Sequence, residues 1–98
     1  VNAAVWAVTG VLFCAGLAMV VLRRQLLAML LGIELMAAAA NVGLVHQACL
    51  LSDAEALAAV SIVIAVAAAE AVVGLSLILR VLRSGRGLGA GELTQLSG

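Results

Sequence analysis

Residues 26–51 read LLAMLLGIELMAAAANVGLVHQACLL, an almost unbroken apolar run with a single carboxylate, Glu34, embedded in it. At 1.5 Å rise per residue such a run exceeds the hydrocarbon thickness of a bilayer, and nothing in it interrupts a helix. Residues 56–79 form a second run that carries Glu70 inside VAAAEAVVG, and residues 3–22 form a third with no charged residue. The chain contains no Pro, so no helix has a programmed break. Three runs of this kind predict an all-α integral membrane protein with three transmembrane helices over about 3–22, 26–51 and 56–79.

The rest of the composition agrees. Of 98 residues, 66% are hydrophobic, and the mean hydropathy is +1.32. Soluble domains hold roughly 45–50% apolar residues. The basic residues are all Arg, at 23, 24, 80, 83 and 86, at the edges of the apolar runs or beyond them. That pattern excludes nucleic-acid binding, which needs a clustered basic face on a soluble domain. Cys14 and Cys49 lack CxxC or Cys/His spacing and are expected to be small buried hydrophobes, neither a disulfide nor metal ligands. The first run has two Arg after it and no basic residue before it, the reverse of a signal peptide, so it is expected to be retained. No Cys cluster, paired His or Gly-rich nucleotide loop is present, which leaves no candidate catalytic, cofactor or metal site. Three helices are too few to enclose a substrate, so a protein partner is expected.

Arg23, Arg24 and Gln25 make so short a turn that the first two helices are expected to form an antiparallel hairpin. Ser52-Asp53-Ala54-Glu55 has capping-box spacing, with the Ser52 hydroxyl accepting from the next helix and Glu55 reaching back. Asp53 and Glu55 are therefore turn and cap residues. With Arg23, Arg24, Arg80 and Arg83 as topology markers, the positive-inside rule predicts an up-down-up arrangement with the N-terminus outside and the C-terminus cytoplasmic. Residues 1–83 make the transmembrane unit. Residues 84–98 make a Gly-rich cytoplasmic tail, read as mobile, with Leu93 and Leu96 as anchors on a neighbour. Trp6 suits an interface, and Thr9 can satisfy its hydroxyl against its own helix. His46, about 18 Å beyond Glu34, is read as solvated at the opposite interface.

Glu34 lies ten residues after Arg24, and Glu70 lies ten residues before Arg80. Each is thus about 15 Å in from the same boundary. An ionisable group at that depth costs on the order of 2.5–3.5 kcal/mol to insert and faces a bundle interior or a wet cavity. Burial strips hydration from the charged form of a carboxyl, which suits it to hold and release a proton. Asn41, seven residues from Glu34 and on nearly the same helix face, is read either as a supporting polar group that holds water near it or as a structural amide at a helix interface. With no Lys in the chain and no Arg at this depth, compensation for the charge is expected either from another subunit or from a Glu sharing its proton with water.

These residues resemble the K subunit of bacterial NADH:quinone oxidoreductase, the respiratory complex I family, whose mitochondrial counterpart is the 4L subunit. The resemblance covers essentially the whole chain. It rests on RRQLLAMLLGIELM at 23–36, Asn41 after it, IAVAAAEAVVGLSLIL at 64–79, the Arg-bearing end and the short polar tail. One departure is Ala38, where members often carry Asn, which thins the polar wall one turn beyond Glu34. The resemblance implies a subunit of the membrane arm without redox centres, in a bacterial plasma (inner) membrane. Glu34 and Glu70 would then belong to a proton pathway, beside antiporter-like and other membrane-arm subunits, while NADH, FMN, iron-sulfur clusters and quinone are handled elsewhere. Three rivals differ in testable features. A small subunit of a multisubunit sodium/proton antiporter lacks the Glu of the GIEL-like motif and has a longer outer loop. A rotor-ring subunit of an ATP synthase has two helices and one carboxylate. A purely structural assembly subunit would tolerate replacement of both Glu.

Overall fold

The computed structural model describes residues 2–85, 87 and 89–91. It contains three helices: α1 (Asn2–Leu22), α2 (Leu26–Leu51) and α3 (Ala54–Arg83), all long and apolar enough to cross a membrane. α2 is the middle helix. α1 packs along one of its faces and α3 along another, and the α1–α2 seam is the more extensive. The described helices form an elongated body with extents of 52 × 24 × 17 Å.

Small residues make the α1–α2 seam. Gly32, Ala39 and Gly43 recur on α2 at spacings of seven and four, facing α1, and all three are buried. A Cβ added to Gly16 would lie 2.6 Å from the Gly32 carbonyl oxygen, and one added to Gly32 would lie 2.6 Å from that of Gly16. The two backbones therefore touch, an approach that only glycine allows. Farther along, the site of a Gly43 Cβ faces the Trp6 ring and Thr9. Lower numbers on α1 meet higher numbers on α2, so the two helices run in opposite senses. In lipid, where leucine gains nothing by leaving the solvent, such close backbone packing supplies the attraction. Large apolar side chains accordingly point outward, from Val11 on α1 to Leu79 on α3.

The helix ends differ from the sequence expectation by up to four residues. α3 begins at Ala54 and runs to Arg83, two residues earlier and four later than the apolar run alone suggested. Asp53, not Ser52, is its N-cap: the Asp53 carboxylate accepts from the Ala56 amide at 3.1 Å. Ser52 is taken up by the end of α2. It sits in the left-handed region at φ 51°, with its amide donating to Cys49 O at 3.3 Å while the Asp53 amide donates to Ala48 O at 3.0 Å. Those two bonds form a Schellman ending, and they use the backbone that a Ser52 cap would have needed. Glu55 lies in the first turn of α3 and Arg80 and Arg83 in its last, as the helix dipole favours.

Beyond α3, the Ser84 hydroxyl donates to Val81 O at 2.6 Å. The chain then turns at Gly85, φ 80°, and returns to the α1–α2 turn, where the Ala90 amide donates to Arg24 O at 2.7 Å and Gly89 bridges Gln25. The described part of the tail is thus tied to its own chain. Leu93 and Leu96 lie outside the described residues. Cys14 and Cys49 are free and exposed on the outside of their helices, a correction to the expectation of burial, because Gly and Ala occupy the seams.

Candidate functional site

The α2 face toward α3 carries Leu30, Glu34, Ala37 and Asn41, at spacings of four, three and four, one seam along the helix. Its register with α3 is fixed by Leu30, whose Cδ1 lies 2.8 Å from where a Gly74 Cβ would be. One turn along each helix from that contact, in opposite senses, come Glu34 and Glu70. The two carboxylates are therefore level with each other.

Their surroundings differ. Glu34 is half-buried, and its Oε1 is sealed from solvent without a hydrogen-bond partner. Asn41, also half-buried, has its Oδ1 in the same condition. Glu70 is exposed on the rim of the seam, in a shallow depression with Val66, Ala69 and Val73. Toward the Arg-bearing ends the same seam is apolar, a groove lined by Leu26, Leu30, Ile33, Gly74 and Ile78 with Arg80 at its mouth. Glu34 and Asn41 thus mark where the seam changes from apolar to polar.

A second pair of sealed polar atoms lies in the other seam. Thr9 Oγ1 and His46 Nε2 are buried and lack partners, and the His46 ring meets Trp6 edge-on, with centroids 5.9 Å apart and planes at 85°. The sequence reading left Thr9 bonded to its own helix and His46 in solvent. Neither holds in the fold. The signal was the hairpin register: a three-residue turn puts the start of α1 opposite the far end of α2, so Trp6 covers His46.

Three helices long and apolar enough to cross a membrane, packed through glycine and alanine and carrying a sealed carboxylate, define a small multi-pass membrane protein. The particular family follows from comparison. Residues 4–98 match the family model of NADH-ubiquinone/plastoquinone oxidoreductase chain 4L. The chain is 40% identical over 92 residues to NADH-quinone oxidoreductase subunit K of Deinococcus radiodurans, covering 94% of this chain and 89% of that protein. It is 36% identical over 92 residues to subunit K of a Sulfurihydrogenibium species, covering 94% and 92%. It is 40% identical over 88 residues to subunit K of Methylacidiphilum infernorum, covering 90% and 87%. The chain belongs to the chain 4L, or subunit K, family of NADH-quinone oxidoreductase, complex I.

Proposed function

We propose that this chain serves in the membrane arm of a proton-pumping NADH:quinone oxidoreductase, where Glu34 and Glu70 form part of the proton pathway and Asn41 holds water beside Glu34. The observation that carries this reading is the sealed, unpartnered Oε1 of Glu34, level with Glu70 across one helix seam. A buried acceptor left without a hydrogen bond costs about 1–3 kcal/mol, so a hydrogen-bond donor such as water is favoured beside it. Glu70, on the exposed rim, is suited to pass a proton to or from a neighbouring subunit.

The chain spans the bacterial plasma membrane up-down-up with its N-terminus outside, since Arg23, Arg24, Arg80 and Arg83 all lie at one end of the elongated body. Its partners are other membrane-arm subunits, including the antiporter-like ones. NADH oxidation, FMN, the iron-sulfur clusters and quinone belong to other subunits, and this chain contributes proton transfer alone.

The test is NADH-driven proton uptake into inverted membrane vesicles. Glu34→Gln keeps size and polarity but no longer exchanges a proton, so the complex should assemble and uptake should fall. Glu70→Gln should give a similar or milder loss. Normal uptake in both variants would overturn the proton-pathway role and favour a structural subunit.

A further inference from the structure

We propose that the end of the α2–α3 seam nearest the arginines is a phospholipid site, in which one acyl chain lies in the groove between the two helices and the headgroup phosphate sits on the Arg80 guanidinium. The site stands apart from the proton-pathway reading of the two Glu.

The groove has a volume of about 560 Å³ and two walls, with Met29 and Ile33 on the α2 side and Leu77 and Ile78 on the α3 side. Among the described residues that line it, Arg80 alone is charged. From Leu26 to Ile33 is seven residues of helix, about 10 Å. That is most of the depth of one leaflet, whose hydrocarbon is about 15 Å thick. Past Gly74 the two-walled groove gives way to the shallow depression at Glu70, whose lining residues all belong to α3. A groove that starts at a guanidinium and ends within one leaflet suits a lipid tail, whereas a packed helix would need a trough along the whole span.

A second groove on α3, of about 490 Å³, shares Leu77 and Arg80 with the first and adds Arg83, one turn along. Its Ser76 hydroxyl is already bonded to Val72 O at 2.8 Å, so the donors it offers a ligand are the two guanidinium groups. Two apolar grooves that meet at one arginine fit a lipid with two tails and one phosphate. Charge points the same way. Asp53 and Glu55 lie at the opposite end of the helices, and Glu34 and Glu70 lie about 15 Å in. Among the described residues, therefore, no carboxylate balances Arg80 and Arg83 at their own end. A phosphate supplies that balance, and the planar donor fork of arginine holds it bidentately. Basic pockets between spanning helices bind anionic headgroups in this way.

The experiment uses phosphatidylglycerol carrying a photoreactive diazirine halfway along one tail, added to membranes that hold the intact complex. After illumination, peptide mass spectrometry maps the labelled residues of this chain. Label is expected on the groove walls, between Leu26 and Ile33 and between Gly74 and Val81, and should be displaced by excess unlabelled phosphatidylglycerol but not by inorganic phosphate. It should fall about fivefold in Arg80→Gln and hold in Arg80→Lys, which keeps the charge. Val81→Trp fills the mouth of the groove with the charge intact and should lose the label. The wild-type map and its competition decide the matter even where a variant fails to assemble. Label spread equally over the outward face of α1, displacement by inorganic phosphate, or equal labelling of the wild type and Arg80→Gln overturns the lipid site. Absence of label from the groove overturns it too, and label that then appears in the chain purified alone would assign the groove to a neighbouring subunit.

Discussion

Glu34 is expensive where it lies, and its function can be separated from its shape. Glu34→Asp keeps a titratable carboxyl but withdraws it by one methylene from the sealed position of Oε1. Proton uptake is expected to fall only in part, between wild type and Glu34→Gln; an Asp variant as impaired as the Gln variant would mean that geometry, and not titration, dominates. Asn41→Leu removes the next polar group on the seam and fills it with hydrocarbon. If Asn41 holds water for Glu34, uptake should drop while assembly, read on a native gel, is unaffected; normal uptake would leave Asn41 a packing residue. Glu34, Glu70 and Asn41 were visible in the sequence because polar residues inside apolar runs stand out against their neighbours. Thr9 and His46 were not, because each has an innocuous local explanation that fails only when the register of two helices is known. The outward placement of Glu70 was equally hidden, since it depends on which face of α3 meets α2.

At the scale of the helices, the contact of Gly16 with Gly32 is the closest approach made by the described glycines. Gly16→Ala or Gly32→Ala drives a methyl into a backbone carbonyl, which cannot rotate away, so the helices must separate. The expected loss is about 1–3 kcal/mol, measured by equilibrium unfolding of the purified chain in micelles. Gly10 is the control: a Cβ there meets nothing within 4 Å, so Gly10→Ala should be neutral or stabilising by up to about 1 kcal/mol. Equal losses at Gly10 and Gly16 would show that the seam contact does not set the response, since helix propensity favours alanine at both positions. The α2–α3 connection predicts a cap effect of another kind. Asp53→Ala loses the bond to the Ala56 amide and should cost about 0.5–2 kcal/mol in the same assay, whereas Ser52→Ala leaves the cap in place. Here the sequence pointed to the right turn and to Asp53 among its turn and cap residues, but assigned the capping oxygen to Ser52. Capping-box spacing starts from the side chain, but the Schellman ending of α2 spends the Ser52 backbone first and shifts the cap to Asp53.

At the scale of the molecule, the fully buried residues among those described are small: Ala39 at 0% and Ala48 at 1% exposed are typical. α3 is held from one side, and Glu70 lies exposed at the rim of that contact. A midspan carboxylate left facing lipid costs about as much as its insertion penalty, so assembly with a neighbour that covers it is favoured by that amount. Carboxyl chemistry can read this directly. An apolar carbodiimide partitions into lipid and modifies carboxyl groups that it can reach there. In the chain purified alone and returned to a bilayer, Glu70 should be modified much faster than Glu34, whose Oε1 is sealed within the chain's own seam. In the assembled complex the rate at Glu70 should drop toward that of Glu34, with peptide mass spectrometry giving both rates from one sample. Undiminished labelling of Glu70 in the complex would mean that its face stays open to lipid, and proton transfer to a neighbouring subunit through Glu70 would then have no physical route.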